Sequence, residues 1–498
     1  MSVLDREAIV APKDFNRWLM PAAALAIHLC IGQVYALSVF KSPFMEKFAA
    51  GEVAIGWIFS LAILMLGLSA AVAGSWVEKA GPRKSMVVAG LFWVVGFFVS
   101  TLGIATGQLW LLYVGYGVIG GIGLGIGYIS PVSTLMKWFP DKPGLASGLA
   151  IMGFGGGALI ASPVSNALMA AYGGGSELAD LTAGLTPTFM TLAVAYAIAI
   201  AAGAYVIRLP HPEWKPAGYD PAGGGTVKDV SHINVSVNQA MKTPQFWMLW
   251  IVLFTNVTAG IGILENASPM VQDYFPEITA GAAAGYVGLL SLANMAGRFV
   301  WSSASDYIGR KNVYIVYLGV GLLLYLFVAL LGGSNLVLFI LATLVILSFY
   351  GGGFATMPSY LRDYFGVHNV GAIHGRVLTA WAAAGVAGPL IVNTVVESQT
   401  HAGKEGAAVY TLGLSIMVGV LAVGFVANIL MRPVAKKHYA SADEIAEAKA
   451  VIAEAASARP ANSGPIHRTV AWVLLAAVTI GLAYGLIQTI VKAVQIFA

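Results

Sequence analysis

Apolar segments long enough to cross a lipid bilayer recur along the whole chain. A bilayer core is about 30 Å thick, and an α-helix needs about 20 apolar residues to span it. Only 10% of the 498 residues are charged, and the mean hydropathy is +0.79, whereas soluble domains carry roughly 25% charged residues. We therefore predict thirteen membrane-spanning helices, at 18–40, 54–74, 85–105, 109–131, 144–168, 187–207, 246–270, 281–304, 312–333, 336–358, 370–394, 407–431 and 469–491.

Positive charges lie almost entirely on one side of this predicted arrangement. With the N-terminus in the cytoplasm, the cytoplasmic segments hold 22 of the 27 Lys and Arg residues, and the outer segments hold four. Cytoplasmic loops of membrane proteins carry an excess of Lys and Arg. We therefore expect a multi-pass protein with a cytoplasmic N-terminus and, after thirteen spans, an outer C-terminus. The same bias indicates contact with the anionic lipid of the bilayer rather than with nucleic acid.

Two short segments read almost alike and lie one half-chain apart. Residues 74–84 are GSWVEKAGPRK, and residues 302–311 are SSASDYIGRK. Glu78 and Asp306 are 228 residues apart, and three further pairs are separated by 226 or 227 residues: Pro131 and Pro358, Phe139 and Phe365, and Gly148 and Gly375. A nearly constant offset indicates an internal duplication. Duplicated halves built of membrane helices are typical of transporters that open alternately to two faces.

Each repeated loop places a carboxylate at the end of one predicted helix, then a glycine turn, then cations. Such a loop can hold together the cytoplasmic ends of neighbouring helices. The pattern resembles the signature loop of the major facilitator superfamily, Gly-x-x-x-Asp-Arg-x-Gly-Arg-Arg, with departures at Glu78, Ser302 and Tyr307. The resemblance implies an all-α integral membrane protein of two six-helix bundles, here with one extra C-terminal transmembrane helix. It gives a gating role to Gly74, Glu78, Arg83, Asp306, Gly309 and Arg310.

Glycine-rich and aromatic segments extend the resemblance over residues 15–435. The segments that carry it are 115–128, 137–148, 153–157, 242–250, 350–354 and 375–381. Together they resemble the oxalate:formate antiporter family, a relative of the monocarboxylate porters that carry lactate and pyruvate. This resemblance implies a secondary active transporter of small organic anions in a bacterial cytoplasmic membrane, with no cofactor and no metal.

Arg298 and Glu265 are the only Asp, Glu, Lys or Arg residues deep within the predicted spans. A central Arg costs about 2.5–3.5 kcal/mol to insert, and its planar guanidinium suits a carboxylate. We interpret Arg298 as an anion-binding residue, although a structural ion pair with Glu265 stays open. The resemblance points to the same residue, because oxalate carriers place an anchoring Arg in the eighth helix. Any coupling to protons would fall to Glu265 or to His28 in the first span.

The number of central cations bears on the charge of the substrate. Oxalate carriers also use a Lys in the eleventh helix, but residues 377–394 contain neither Lys nor Arg. One central cation favours a monocarboxylate such as lactate, pyruvate or formate, with exchange of oxalate for formate as the second candidate. Aromatic and amide side chains would line the binding cavity. The candidates are Gln33, Tyr35, Tyr128, Tyr350 and Trp381.

Other classes of protein fit the sequence less well. A nitrate-type porter shares the glycine-rich fifth span but needs an Arg in span two, which has no charge here. A membrane sensor that has lost transport would keep the binding residues. An enzyme is not indicated, because the chain has no HExxH, GxSxG or P-loop motif.

The predicted organisation has four regions. Residues 1–208 form the first bundle, 209–243 a cytoplasmic linker, 244–435 the second bundle, and 436–498 a polar helix at 441–458 followed by the extra span. The thirteenth span has no counterpart in the first half, so it lies outside the repeat.

Overall fold

The structure is a computed structural model that describes residues 4–12, 15–175, 177–211, 214–216, 233–278, 280–366, 369–440 and 468–494. These residues are almost entirely helical, and a parallel bridge joins Val10 to Leu209. The long helices within them are α1 Met20–Ile31, α2 Glu52–Ala80, α3 Pro82–Thr106, α4 Gly121–Trp138, α5 Pro143–Gly173, α6 Leu185–Val206, α7 Pro244–Tyr274, α8 Ala280–Ile308, α9 Arg310–Leu331, α10 Leu336–Phe365, α11 Thr379–His401, α12 Ala408–Ile429 and α13 Arg468–Val494.

All thirteen predicted spans fall on these helices. Twelve segments of the described chain are long and apolar enough to cross a membrane. The remaining long helix is α8, whose 29 residues include Asn294 and Arg298. Polar side chains of this kind are costly in a bilayer and usually face the interior of a bundle. The all-α membrane fold is therefore confirmed, whereas the polar helix predicted at 441–458 lies outside the described residues.

Three spans are assembled from more than one helical piece. The 3-10 segment Gly32–Phe40 continues α1, the π-helical segment Tyr113–Gly120 leads into α4, and the short helix Val370–Val377 precedes α11. Departures from regular α-helix inside a span often mark functional positions, because they redirect side chains and free backbone groups. Here the first of them carries Gln33 and Tyr35.

The internal duplication is visible in the packing of the helices. In the first half α2 packs on α4, and α3 packs on α6. In the second half α8 packs on α10, and α9 packs on α12. These are equivalent pairs under the offset of 226–228 residues, so both halves repeat one helical arrangement.

The two halves meet mainly where α5 packs against α8 and where α2 packs against α11 and the short helix Val370–Val377. Glycines on α5 make the first contact close. A methyl group on Gly144 would collide with the carbonyl oxygen of Ser302, and one on Gly148 would collide with the Ser302 hydroxyl. Small residues of this kind let helix backbones approach each other in membranes.

The extra helix α13 contacts both halves of the molecule. It packs against α8 of the second half and against α5 and α1 of the first. Gly485 lies against the backbone of Leu159 on α5, and Thr489 lies against Gly288 on α8. The thirteenth helix therefore lies outside the repeat, as predicted, and covers the seam between α5 and α8.

Candidate functional site

A cavity of about 120 Å³ lies between the two halves. Its walls come from the 3-10 segment after α1 and from α2, α5, α7 and α8, and its polar lining residues are Tyr35, Lys41, Ser291 and Asn294. Ile55 also lines it, in the first turn of α2, whereas the repeat loop begins at the other end of that helix. The cavity is therefore on the side opposite the repeat loops, and the charge bias of the sequence assigns that side to the outside.

Arg298 lies beside the inner end of this cavity and is completely buried. Its Nε donates a hydrogen bond to Asn294 Oδ1 at 2.9 Å, and its Nη1 donates to the carbonyl oxygen of Ile151 on α5 at 3.3 Å. The guanidinium carbon lies 5.8 Å from the ring centroid of Phe154 and 5.3 Å from that of Phe354. The side chain therefore belongs to the second half but is held by both halves.

Three hydrogen-bond donors around Arg298 have no partner among the described residues. They are Arg298 Nη2, the Tyr128 hydroxyl and Trp381 Nε1, and all three side chains are fully buried. Buried polar atoms are nearly always hydrogen-bonded, so each exception calls for an explanation. Because guanidinium and indole nitrogens can only donate, the group that satisfies them must be an acceptor.

Four aromatic rings form the surroundings of these donors. Tyr128 and Phe154 belong to the first half, and Phe354 and Trp381 to the second. Trp381 has its ring centroid 5.3 Å from Tyr128, 5.4 Å from Phe154 and 4.3 Å from Phe354. The offset of the duplication relates Tyr128 to Phe354 and Phe154 to Trp381. The cluster is thus two copies of one aromatic pair, brought together where the halves meet.

The other predicted wall residues differ in their placement. Tyr35 lines the cavity, and its hydroxyl lies 3.1 Å from the Tyr350 hydroxyl of the second half. Gln33 is fully buried and accepts a hydrogen bond of 2.7 Å from Tyr116, a contact within the first half. The predicted residues Arg298, Tyr35, Tyr128, Tyr350 and Trp381 therefore come together, whereas Gln33 faces away from them toward Tyr116.

The two candidates for proton coupling are in different situations. His28 is fully buried, with Nδ1 against the carbonyl oxygen of Ala150 and Nε2 3.1 Å from that of Tyr128. A neutral imidazole donates from only one nitrogen, so both contacts are hydrogen bonds only when the ring is protonated. Glu265 lies on α7, but its side chain falls outside the described part of the structure.

Asp306, in the second repeat loop, joins the two halves on the side away from the cavity. Its two carboxylate oxygens accept hydrogen bonds from the backbone of Gly144 at 3.0 Å and of Leu145 at 3.2 Å, in the first turn of α5. A carboxylate there also interacts favourably with the positive end of the helix dipole. Arg310 Nη2 lies 2.5 Å from the same carboxylate, so this cluster of charges is closed and buried.

Glu78, in the first repeat loop, has an equivalent position. It accepts a hydrogen bond from the Ser133 hydroxyl and forms an ion pair of 2.7 Å with Lys137 on α4. A methyl group on Gly371, in the short helix before α11, would collide with its Oε1 atom. Gly371 is the repeat equivalent of Gly144, so each loop carboxylate faces the first turn of a helix in the opposite half.

The cations of the loops have a separate task. Arg83 donates hydrogen bonds to the carbonyl oxygens of Ala204 and Tyr205, at the C-terminal end of α6. Lys311, its repeat equivalent, donates to those of Ile429 and Met431, at the end of α12. Cations at helix C-termini satisfy carbonyl groups that have no partner within the helix. Of the predicted gating residues, Gly309 and its equivalent Gly81 adopt φ values of 85° and 81°, which glycine tolerates best.

The structure adds residues that the sequence did not single out. Lys41 lines the cavity near its mouth, and the sequence gave no reason to distinguish it from the other outer lysines. Phe154 and Phe354 flank Arg298. The repeat offset could have identified both phenylalanines, because it aligns them with the candidates Trp381 and Tyr128.

The fold, the duplicated loops and a central cavity between two halves define a class of membrane transporter. The sequence matches the Major Facilitator Superfamily over residues 23–389 and 277–497, and the chain belongs to that family. It is therefore a multi-pass membrane transporter and not an enzyme.

Among related proteins, the oxalate:formate antiporter of Oxalobacter formigenes is 28% identical over 86% of this chain and 96% of its own length. The apicoplast pyruvate carrier 1 of Toxoplasma gondii is 23% identical over 73% of this chain and 72% of its own. Among solved structures, the Escherichia coli fucose:proton symporter FucP matches with a TM-score of 0.62 and 15% identity, over 84% of this chain and 98% of that chain. This last similarity concerns the fold alone.

Proposed function

We propose that this protein carries small monocarboxylates, such as lactate, pyruvate or formate, across a bacterial cytoplasmic membrane by alternating access, with its N-terminus in the cytoplasm and its C-terminus outside. The observation that carries the proposal is the set of buried, unpartnered donors at Arg298, Tyr128 and Trp381. A carboxylate supplies acceptors only, and a guanidinium can donate two parallel hydrogen bonds to it. Tyr35 and Tyr350 complete the site.

The charge around the site supports a monoanion. The described hydrogen-bond partners of Arg298 are the uncharged groups of Asn294 and Ile151. A buried cation is costly unless it is compensated, and a single negative charge on the substrate provides this compensation. The aromatic rings of Phe154 and Phe354 offer apolar surfaces to the short carbon chain of such an acid.

Exchange of oxalate for formate is the second candidate function. Lys41 lines the same cavity as Tyr35 and Asn294, so a second cation is available to a dianion as it enters. The relative from Oxalobacter formigenes is an oxalate:formate antiporter. Against this candidate, α11 carries no Lys or Arg that could hold the second carboxylate beside Arg298. A nitrate-type porter and a sensor that has lost transport are the remaining alternatives.

Coupling to protons is part of the proposal, with His28 and Glu265 as the candidate residues. His28 stacks on Tyr128 at 5.5 Å between ring centroids, so a charge on its ring would act directly on the site. Replacing Glu265 with Gln should abolish the pH dependence of uptake and leave exchange intact. Unchanged pH dependence in this variant would leave His28 as the remaining candidate.

The test is to reconstitute the protein and to measure binding and counterflow with formate, lactate, pyruvate, oxalate and nitrate. Bound ligand raises the unfolding temperature by mass action, and counterflow separates a carrier from a sensor. Arg298→Ala should fold and lose binding. Arg298→Lys keeps the charge but loses the planar fork, so it should retain weak transport with a raised KM. The exposed Lys404→Ala on the outer side serves as control. Wild-type transport by Arg298→Ala would overturn the proposal.

A further inference from the structure

Gly155, on α5 of the first half, lies directly against the guanidinium of Arg298 from the second half. A methyl group at this position would lie 2.7 Å from Nε, 3.0 Å from Cδ and 3.3 Å from Cζ of Arg298. Carbon atoms do not approach a guanidinium so closely without displacing it. Gly155 also lines the cavity beside Asn294. We infer that Gly155 is a positioning residue, which sets the depth of the Arg298 head group and hence the size of monocarboxylate that the site accepts.

This inference rests on the proposed function, because it concerns the residue that would anchor the substrate. The head group of Arg298 follows one turn of α5. Nη1 bonds to the carbonyl oxygen of Ile151, and Nε passes over Gly155, which is four residues further along and on the same helix face. The absence of a side chain at Gly155 is what lets Arg298 reach across to the first half.

A displaced guanidinium would have few directions to move. Phe154 and Phe354 flank it, and Asn294 holds its Nε at 2.9 Å. The side toward the cavity is the one that leaves room. An added methyl group at Gly155 would therefore push the head group into a space of only about 120 Å³. Formate, which has nothing beyond its carboxylate, should tolerate the loss of space, whereas lactate and pyruvate carry two further heavy atoms on the carbon next to the carboxylate.

The experiment compares Gly155→Ala with the wild type in detergent and in proteoliposomes. We expect Kd for pyruvate and lactate to rise at least tenfold and Kd for formate to rise less than threefold. Gly419→Ala is the matched control, because it makes the same substitution within a helix where a methyl group meets no atom within 4 Å. A general loss of stability would weaken all acids alike, so the ratio of formate to pyruvate affinity is the decisive readout.

A second measurement shows whether the effect passes through Arg298. Gly155→Ala should lower the unfolding temperature of the ligand-free protein in the wild-type background and leave it unchanged in the Arg298→Ala background. Failure of Gly155→Ala to fold, combined with folding of the double variant, would support the inference in the same way. An equal loss in both backgrounds, or wild-type affinity for every acid in Gly155→Ala, would overturn it. The proposed function fails separately, if Arg298→Ala alone binds as the wild type does.

Discussion

The two repeat loops have nearly the same sequence pattern but use their charges differently. In the second loop, Asp306 pairs with Arg310 of the same loop, and their side chains are 7% and 6% exposed. In the first loop the equivalent of Arg310 is Pro82. Glu78 pairs instead with Lys137 on α4, and these side chains are 22% and 38% exposed. One pattern thus gives a buried cluster in one half and a partly hydrated ion pair in the other.

The helix that packs behind each loop carries opposite charges in the two halves. The repeat offset aligns Lys137 on α4 with Asp363 on α10, and Arg310 Nε lies 3.7 Å from Asp363. Duplication has kept a cation beside each loop carboxylate but has moved that cation from the helix into the loop. Exposed ion pairs contribute about 0–1 kcal/mol, whereas breaking a buried pair costs about 3–5 kcal/mol. The second loop should therefore dominate the closure of the inner side.

The largest effect is expected from the glycine that each carboxylate faces. Gly144→Ala would drive a methyl group into the backbone of Ser302, so the halves could no longer close on this side. Gly371→Ala would displace only the Glu78 carboxylate, which is the end of a flexible side chain. Spin labels at the exposed residues Lys79 and Tyr307, in a Cys30→Ala background, would report the separation of the loops. We expect a predominantly open inner side in Gly144→Ala and a small change in Gly371→Ala; equal changes would mean that the two loops are equivalent.

A smaller but still large effect is expected from Asp306→Asn. The amide removes the charge opposite Arg310 and places an N–H group where Asp306 now accepts from the backbone of α5. The same spin-label distances should shift toward the open state by a free energy of about 3 kcal/mol. Asp273→Asn is the matched control, because that carboxylate accepts from Tyr410 within one half. A distance distribution like that of the wild type in Asp306→Asn would contradict the comparison.

Glu78→Gln should have a clearly weaker effect than Asp306→Asn. Its partner Lys137 is partly hydrated, and a glutamine can still accept the hydrogen bond from Ser133. We expect a shift of about 0.5–1 kcal/mol in the same measurement. A shift as large as that of Asp306→Asn would show that burial does not decide the strength of these contacts.

Ionic strength should give the smallest difference. Raising the salt concentration from 0.05 to 0.5 M screens exposed charges but acts little on buried ones. The contribution of the Glu78–Lys137 pair, measured by a double-mutant cycle with Glu78→Gln and Lys137→Gln, should fall with salt. The cycle for Asp306 and Arg310 should stay nearly constant. A salt response of equal size in both cycles would remove the distinction between the two loops.

The helices and the duplication were predictable, because both are written in local patterns. All thirteen apolar runs fall on helices, and the offset between Glu78 and Asp306 correctly matched equivalent positions. Arg298 stood out because a central charge in a span is costly. The interhelical ion pair at Lys137 was not predictable, because it depends on how α2 and α4 pack.

The details of the cavity also escaped the sequence, for physical reasons. Gln33 and Tyr35 are two residues apart, yet one bonds to Tyr116 and the other lines the cavity. Their directions follow from the 3-10 winding of residues Gly32–Phe40, and hydrophobic patterning does not reveal that winding. The contact of Gly155 with Arg298 likewise requires α5 and α8 to be brought together, which no local signal in either helix encodes.

The bonds that Arg83 and Lys311 make to the ends of α6 and α12 have a mechanical consequence. Each of these cations stays within its own half, so its bonds need not break when the halves move relative to each other. Only the carboxylates Glu78 and Asp306 reach across. Every loop therefore combines a permanent rivet, which keeps its bundle stiff, with a releasable catch, and a rocking movement has to undo the catches alone.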